Sequence, residues 1–356
     1  MKCTGIKVPK KDAQHMHNYL SAQGLLQRGC APVRMSKHVI FPLVSKPNTA
    51  QRRELGKMLR GMKKFALAKH EFASRNEKPR SLKEALQGRL KKAELGALSR
   101  AFDALGNIAV IEVPKGLVKK ETQVAQALML VNPQVKTVLK KTTARRGEFR
   151  VQGLKVIGGE KNFRANYAEH GCKFVVDLDK VFFTPRLGTE RGRIAKLIKP
   201  GETVSVLFAG AGPYAIVFAK HAKPEKVFAV ELNPHAVENM KDNIRLNHVQ
   251  NLVVPIEGDV RKIAPVLLRC TSDRVVMPLP KNAGDFLGEA LECLKKKGGV
   301  VHFYHFGEAK EPFAEAVALV KKACRGAGRK CRILRKAKCR SYSPDTVQAV
   351  VDFKAE

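Results

Sequence analysis

The sequence lacks the apolar segments that membrane and exported proteins carry. No apolar run reaches the roughly 18 residues that a membrane-spanning helix needs, and the N-terminus has no signal-peptide hydrophobic core. No internal repeat stands out. These absences argue against an integral membrane protein and an exported protein, and they predict a cytoplasmic one.

Paired cysteines are also missing. None of the eight cysteines stands in a Cys-x-x-Cys pair, and Cys324, Cys331 and Cys339 have no histidine among them. Their spacing does not match a zinc knuckle, so no metal site is predicted. We expect buried or free thiols in a reducing cytoplasm, with a disulfide in a hyperthermophilic cytoplasm as the alternative.

Acidic residues are scarce. The 356 residues include 32 Asp and Glu against 67 Lys and Arg, which gives a net charge of +35, and 44% of them are hydrophobic. Such a charge with an ordinary apolar fraction indicates a folded protein that faces a polyanion. Nucleic acid is the first candidate, with a generally basic proteome and an acidic membrane surface as alternatives.

Two segments concentrate the positive charge. Residues 52–100 show helical patterns with fifteen basic and five acidic residues, and residues 321–340 hold ten cations and no acid. Either segment can be read as a solvated surface. Given the charge of the whole chain, we expect both to contact an RNA backbone, and each phosphate contact would steepen the salt dependence of binding.

The length allows two or three domains. The first fifty residues read as a small α/β unit, with a helix over about 12–22 and a strand at 38–41. A buried-strand pattern at 105–114 opens a second α/β region. The predicted domains are residues 1–48, 52–177 and 178–356.

Strands and helices alternate in the last region, in the order expected of a parallel sheet. The predicted strands are 203–208, 226–231, 252–257, 273–277, 299–305, 331–334 and 347–353. The predicted fold class is therefore α/β, with a Rossmann-like domain built on a mostly parallel seven-stranded sheet and preceded by two smaller α/β domains.

A turn of small residues follows the first strand of that sheet. Residues 206–214 read Val-Leu-Phe-Ala-Gly-Ala-Gly-Pro-Tyr, and the next strand ends on Glu231 about twenty residues after the glycines. In nucleotide-binding units, such glycines let the backbone approach a ligand and such a carboxylate accepts hydrogen bonds from a ribose. A Gly-x-Gly turn on its own is also common between any strand and helix.

The turn lacks the third glycine of a dinucleotide site, because Pro213 directly follows Gly212. S-adenosylmethionine fits this pattern better than a dinucleotide, since its charges are a sulfonium and an amino acid and it requires no phosphate cradle.

Several further segments make the pattern more specific. They are residues 105–114, 181–191, 208–213, 231–234 and 258–259. Together they resemble the archaeal and eukaryotic tRNA guanine-N1 methyltransferases, which modify guanosine 37 beside the anticodon. The run Phe-Thr-Pro-Arg-Leu-Gly-Thr-Glu-Arg at 183–191 is the most diagnostic. The resemblance covers nearly the whole chain and implies a tRNA-elbow-binding N-terminal domain, a second domain and a class I methyltransferase domain.

The resemblance implies a mechanism at guanine N1, which carries a proton at neutral pH. Glu190 matches the family's proposed general base, and Arg150 matches the arginine that stabilises negative charge on O6. Without the resemblance, Glu190 would be read as an ion-pair partner of Arg186, Arg191 or Arg193, and Arg150 as a surface arginine.

The resemblance also implies which residues contact the substrates. The predicted guanosine contacts are Phe182, Arg186, Pro278, Leu279 and Pro280. The predicted S-adenosylmethionine contacts are Phe208, Gly210, Gly212, Pro213, Glu231, Leu232, Asp259 and Val260. Two readings stay open, since Phe182 also suits an ordinary core position and Asp259 also suits a helix cap.

Three positions depart from the family pattern. Val206 stands where the family usually has an acidic residue, and Phe182 stands where it often has tyrosine. Pro278 replaces a common asparagine and offers only its carbonyl to a guanine edge. Either backbone atoms and neighbouring side chains recognise the base, or the target differs.

The sequence therefore predicts a monomeric methyltransferase that acts on N1 of guanosine 37, binds the anticodon loop and the elbow of tRNA, and has no protein partner. One alternative is a wyosine-pathway enzyme that transfers the aminocarboxypropyl group of the same cofactor at tRNA position 37. The other alternative is a tRNA-binding protein without catalysis.

Overall fold

The computed structural model describes residues 2–27, 29–58, 66–73, 79, 81–98, 102–143, 147, 149, 151–279 and 281–356. The chain divides into two compact units, residues 1–80 and residues 81–356. No helix among the described residues is long and apolar enough to cross a membrane. The same residues contain no group of three or more His, Cys, Asp or Glu side chains arranged to hold a metal ion.

The first unit is an antiparallel sheet packed against a helix. Its elements are β1 (Lys2–Pro9), α1 (Ala13–Ala22), β2 (Val33–Arg34), β3 (His38–Leu43), α2 (Thr49–Met58) and β4 (Leu67–Glu71). The strand order is β2-β3-β1-β4, with antiparallel pairing throughout. Its core joins alternate residues of the strands to one face of α1, including Ile6, Phe41 and Leu20. The predicted helix and strand of this region are confirmed.

The helical prediction for residues 52–100 is wrong at β4. This segment pairs along β1, with Lys2 opposite Glu71 and Ile6 opposite Leu67. Backbone hydrogen bonding to an available sheet edge outweighs the weak helical preference of a short polar segment.

The second unit begins with a small α/β layer. Its elements are α3 (Leu82–Leu86), α4 (Lys92–Ala97), β5 (Phe102–Leu105), β6 (Ile108–Ile111), α5 (Glu121–Val131), β7 (Thr137–Lys141), β8 (Leu154–Gly159), β9 (Arg164–Glu169) and β10 (Cys172–Asp177). Strands β5 to β8 form one sheet in sequence order, and β9 pairs with β10. The buried strand predicted at 105–114 is confirmed over residues 108–111, which form β6 and are buried along its whole length, whereas Leu105 ends β5 and residues 106–107 form a turn.

The rest of the unit is built on a seven-stranded sheet. Its elements are α6 (Gly188–Ala195), β11 (Thr203–Leu207), α7 (Pro213–His221), β12 (Lys226–Glu231), α8 (Pro234–Leu246), β13 (Val253–Glu257), α9 (Val260–Ile263), β14 (Arg274–Met277), α10 (Leu287–Cys293), β15 (Gly299–Glu308), α11 (Ala314–Gly326), β16 (Cys331–Ser341) and β17 (Thr346–Ala355). The strand order among these residues is β13-β12-β11-β14-β15-β17-β16.

The predicted mostly parallel sheet is confirmed. Strands β11 to β15 pair in parallel, and β17 runs antiparallel to both β15 and β16. The chain moves outward from β11 through β12 to β13, then crosses back to β14 on the other side of β11. This reversal makes the carboxyl end of β11 a topological switch point, where open α/β sheets bind their ligands.

A row of asparagines joins the β9–β10 hairpin to this sheet domain. Asn239 and Asn243 on α8 and its C-cap Asn247, spaced four residues apart, accept hydrogen bonds from the backbone N–H groups of Asp177, Val175 and Lys173, respectively, at 2.8–2.9 Å. The exposed edge of β10 therefore finds its partners on a helix, which fixes the segment after β10 beside the switch point.

Candidate active site

The turn after β11 has the backbone geometry that a close ligand approach requires. Phe208, Gly210 and Gly212 have φ angles of +62°, +58° and +83°. A Cβ on Gly212 would lie 2.8 Å from Cγ of Met240, so glycine is needed there for space as well as for conformation. A phenylalanine in the left-handed region is uncommon, and such strain clusters at ligand sites.

Glu231 fixes this turn from the end of β12. The backbone N–H of Gly210 donates to its Oε2 at 2.7 Å, and the N–H of Asn233 donates to its Oε1 at 2.9 Å. Burial raises the pKa of Glu231, and these backbone N–H groups oppose the shift. A carboxylate has about four acceptor sites, so Glu231 can also accept a hydrogen bond from a ligand hydroxyl.

Asp259 begins α9 as its helix cap. Its side chain accepts a hydrogen bond from the N–H of Arg261 at 2.9 Å, which confirms the capping reading. The Arg261 guanidinium also bonds this carboxylate, lowers the pKa of Asp259, and lies 5.8 Å from the ring centre of Phe286. The same carboxylate lines the cavity described next.

A cavity of about 170 Å³ opens at the switch point. The predicted cofactor contacts that line it are Phe208, Gly210, Glu231, Leu232, Asp259 and Val260, and the predicted guanosine contacts that line it are Phe182, Pro278 and Leu279. Gly212 and Pro213 do not line it, because they form the cap and first residue of α7 behind the turn. Pro280 and Arg150 lie outside the described residues.

Further residues that line the cavity were not among the predicted contacts. Three of them, Val181, Asn233 and Gly258, lie in segments that carry the family resemblance. The others are Phe149, Ala236, Arg261 and Phe286. Asn233 could have been identified from the sequence, because it directly precedes Pro234. In the structure its side chain caps α8 by accepting a hydrogen bond from the N–H of His235. Phe286 lies far along the chain from the glycine turn, and its ring meets that of Phe208 edge-on with centres 4.9 Å apart.

A larger basic cleft of about 1190 Å³ adjoins the cavity and shares Leu279 and Phe286 with it. The charged residues that line it are Lys141, Arg186, Lys281 and Arg340, together with Asp103 and Glu112. The predicted guanosine contact Arg186 lies in this cleft rather than in the cavity, and its Nε donates to Asp103 at 2.8 Å. We call this space the basic cleft.

Glu190 lies on α6, is 8% exposed, and lines neither space. Arg193 donates to both of its carboxylate oxygens at 2.7 and 2.8 Å, and the Tyr304 hydroxyl donates to Oε1 at 2.8 Å. Of the three arginines considered as its partner, the structure therefore selects Arg193. Arg191 instead pairs with Glu169, its Nη2 donating to Oε2 at 2.6 Å.

Arg193 also ties Glu190 into a longer buried chain of polar groups. Its Nη1 donates to Asp352 at 2.7 Å, and His302 Nδ1 lies 2.7 Å from the same carboxylate. Arg274 Nη1 lies 2.8 Å from His302 Nε2. An arginine only donates, so Nε2 accepts and Nδ1 carries the proton that is donated to Asp352. We call these residues the ion network.

The charges in the ion network are set by burial and by these hydrogen bonds. Burial lowers the pKa of His302, which agrees with the neutral ring that the Arg274 contact requires. Burial by itself raises the pKa of Asp352, but hydrogen bonds from His302 and Arg193 outweigh it and lower the pKa to about 2. The network thus holds an ionised Asp352 beside the guanidinium of Arg193.

The ten cations at 321–340 lie on α11, on β16 and between them. Most of them are exposed, and β16 is an edge strand of the sheet. Exposed lysines and arginines prevent an edge strand from pairing with another chain, and they also suit contact with a polyanion.

Known families match the chain in three consecutive segments. Residues 165–334 match the TRM5/TYW2 methyltransferase domain, residues 82–162 match the TYW2 N-terminal domain, and residues 5–51 match the tRNA methyltransferase 5 N-terminal domain.

Two curated proteins and one solved structure illustrate the similarity. The tRNA (guanine(37)-N(1))-methyltransferase Trm5b of Pyrococcus abyssi is 33% identical over 98% of both chains. The tRNA(Phe) (4-demethylwyosine(37)-C(7)) aminocarboxypropyltransferase of Methanocaldococcus jannaschii is 32% identical over 67% of this chain and 94% of its own. The structure of aTrm5 in complex with tRNALeu superposes with a TM-score of 0.81, at 29% identity over 99% of both chains.

Proposed function

The chain belongs to the TRM5/TYW2 methyltransferase family, and we propose that it transfers the methyl group of S-adenosylmethionine to N1 of guanosine 37 in tRNA. The extent of the match carries this proposal. The guanosine-37 methyltransferase aligns with 98% of this chain, whereas the aminocarboxypropyltransferase is a shorter protein that aligns with 67% of it. Residues 5–51 match an N-terminal domain of tRNA methyltransferase 5, which adds support.

The cavity at the switch point suits S-adenosylmethionine. Phe208 and Phe286 supply apolar walls for an adenine ring. Among the residues that the structure describes, a Cβ built on Gly210 would have only the carbonyl oxygen of Phe182 within 4 Å, at 3.9 Å, so these residues leave the space in front of Gly210 open. When bound, the cofactor supplies an electrophilic methyl group on a positively charged sulfur.

Two carboxylates on neighbouring strand ends would orient the adenosine. We assign Glu231 to the ribose hydroxyls, because its oxygens are already fixed by backbone N–H groups. We assign Asp259 to the adenine amino group, because the cap geometry holds its carboxylate at the rim of the cavity. The backbone contacts of Glu231 hold its carboxylate in place before the ribose binds, whereas Asp259 would share its carboxylate between Arg261 and the adenine amino group.

The guanine would enter between the cavity and the basic cleft after leaving its stack in the anticodon loop. Phe182 offers an aromatic face there, and Pro278 and Leu279 line the same wall. Arg186 stands in the basic cleft, where a phosphate or the guanine edge would meet it. The assignments of Pro280 and Arg150 stay predictions.

Glu190 would accept the proton that leaves N1. Arg193 and Tyr304 hold its carboxylate in one orientation. An acceptor site that these partners leave unused therefore has a fixed direction. Since Glu190 lines neither the cavity nor the basic cleft, we expect tRNA binding to bring N1 within its reach. Catalytic hydrogen bonds often form only in the substrate complex.

Aminocarboxypropyl transfer is the second candidate. Residues 82–162 match the TYW2 N-terminal domain, and Pro278 lines the cavity where the methyltransferases commonly present asparagine. A base at N1 has no part in that reaction, so an intact Glu190 disfavours it.

The predicted division into residues 1–48, 52–177 and 178–356 stays a proposal, with the first domain recognising the elbow of tRNA. The cytoplasmic location and the monomeric state also stay predictions.

Two labels on S-adenosylmethionine test the proposal. Methyl-labelled and carboxyl-labelled cofactor are each incubated with wild type and tRNA transcripts that carry guanosine or adenosine at position 37, and with a tRNA that carries a tricyclic guanosine derivative there. We expect only methyl label, and only on the guanosine transcript. Carboxyl label on a tricyclic position-37 substrate would favour the second candidate. Cofactor and tRNA binding without any transfer would favour a binding protein.

A further inference from the structure

Two aromatic side chains stand together on the wall of the basic cleft, away from the cavity. Phe306 belongs to β15, and Tyr342 directly follows β16. Their ring centres are 4.5 Å apart, with the ring planes inclined by 45°. Tyr342 is 53% exposed and Phe306 is half-buried. We call this pair the aromatic step.

The register of three adjacent strands places a cation beside the aromatic step. Gln348 on β17 lies opposite Phe306 on one side and Arg340 on the other. Opposite residues in antiparallel strands share a face of the sheet. The Gln348 Oε1 accepts a hydrogen bond from Arg340 Nε at 2.8 Å, and the Arg340 guanidinium carbon lies 5.9 Å from the ring centre of Tyr342.

Packing does not account for the aromatic step. Neither ring belongs to the hydrophobic clusters that the described residues form in this unit. A tyrosine that only filled the core would be covered, and a loop after an edge strand needs no aromatic residue for solubility. The exposed ring faces the basic cleft, whose lining includes Lys141, Lys281 and Arg186.

The aromatic step lines the cleft that adjoins the cavity. The basic cleft shares Leu279 and Phe286 with the cavity, and the same cleft reaches Phe306, Arg340 and Tyr342. A nucleic acid whose target base enters the cavity therefore has this wall in the adjoining cleft for its neighbouring nucleotides.

We propose that the aromatic step stacks an unpaired nucleobase directly adjacent to the target nucleotide. The inference rests on the proposed function for the identity of the RNA. Every base has a π-face, so stacking on Tyr342 would hold a neighbouring base without selecting its sequence. Holding that neighbour away from the target base would keep the target unstacked and free to enter the cavity.

The two arginines of this wall suit the phosphate of the stacked nucleotide. Burial lowers the pKa of Arg340, and the positive charge of Arg186 acts in the same direction. Two guanidinium groups that face one cleft are stabilised when an anion lies between them. The base and the phosphate of one nucleotide would thus meet complementary groups.

Tyr342→Ala tests the aromatic step, with Tyr342→Phe as the conservative variant. Leu334→Ala is the matched control, since Leu334 is a 46% exposed apolar residue on β16 that does not line the basic cleft. We expect Tyr342→Ala to weaken tRNA affinity by roughly 5- to 100-fold, the range of base–aromatic stacking. Tyr342→Phe and the control should bind like wild type, and all variants should keep wild-type affinity for S-adenosylmethionine.

Abasic tRNAs identify the stacked nucleotide. The base on one side of position 37, and then the base on the other side, is removed, and affinity is measured for wild type and Tyr342→Ala. One of the two removals should weaken wild type as much as Tyr342→Ala does, and should not weaken Tyr342→Ala further. Independent, additive losses would overturn the inference, as would a wild type that is indifferent to both removals. Because the readout is binding, absence of methyl transfer by wild type would count against the proposed function and not against the aromatic step.

Discussion

The cavity and the ion network lie in the same domain, but the sequence encodes them in opposite ways. The cavity takes most of its residues from short segments at the carboxyl ends of consecutive parallel strands. The ion network instead joins α6 to β17, β15 and β14, and its Arg193–Asp352 contact spans 159 positions of the chain. A cofactor site at a switch point can therefore be recognised from local motifs, whereas the surroundings of the proposed base depend on tertiary pairing.

The largest expected effect falls on Glu190. Glu190→Gln keeps the size and most hydrogen bonds of the side chain but removes its capacity to accept a proton. We expect the single-turnover rate of methyl transfer to fall by about 10²- to 10⁴-fold, with unchanged cofactor affinity. Glu238→Gln, on the exposed face of α8, is the matched control. If Glu190→Gln were as active as that control, Glu190 would not be the general base.

The second-largest effect is expected from breaking the ion network. In Asp352→Asn, an amide N–H₂ or a neutral oxygen faces the guanidinium of Arg193, which keeps a buried charge with one partner fewer. We expect a loss of about 3–5 kcal/mol in the free energy of unfolding, measured with denaturant. The exposed Asp345→Asn serves as control and should unfold like wild type. A stable Asp352→Asn protein with wild-type turnover would show that the network does not support Glu190.

Glu231→Gln tests whether the cavity binds S-adenosylmethionine through this carboxylate. This change replaces a charged acceptor at the end of β12 by a neutral amide. We expect roughly 10- to 100-fold weaker binding of S-adenosylmethionine by calorimetry, from the loss of about 1.5–3 kcal/mol per charged hydrogen bond. Affinity for tRNA should not change. Unchanged cofactor affinity would contradict the ribose assignment.

Lowering the pH should change the contributions of Asp352 and Glu231 to the free energy of unfolding in opposite directions. The lowered pKa of Asp352, about 2, stabilises the fold above its unfolded pKa near 4, and this stability is lost as the pH falls towards 2. The raised pKa of Glu231 acts in the opposite direction, because protonation relieves the cost of burying its charge. We expect the difference in unfolding free energy between wild type and Asp352→Asn to shrink by about 2 kcal/mol from pH 5 to pH 2. A constant difference would exclude an ionised Asp352.

The parts predicted from the sequence share one property, which is that their signal is local. Apolar runs located all seven strands of the large sheet, and the glycine turn with Glu231 located the cavity. The alternation and the length of apolar runs predict which strand residues are buried. The residue types of a turn after a strand indicate the backbone conformation of that turn. β4 was missed because its partner β1 lies more than sixty residues earlier and its own composition is polar.

The parts that were missed depend on pairing between distant segments. Nothing beside His302 or Asp352 in the chain indicates a buried ion pair, and Tyr304 reaches Glu190 across 114 positions. Phe286 closes the cavity through a contact with Phe208 that no spacing rule predicts. Such residues become recognisable only when the register of β14, β15 and β17 is known.

The most direct test of the account is the chemical identity of the modified nucleoside. Wild type is incubated with S-adenosylmethionine and a guanosine-37 tRNA transcript, the RNA is digested, and the fragment containing position 37 is analysed by mass spectrometry against nucleoside standards. We expect 1-methylguanosine at position 37 and no modification of the adenosine-37 transcript. A methyl group on another atom or another nucleotide, or an aminocarboxypropyl adduct at position 37, would contradict it.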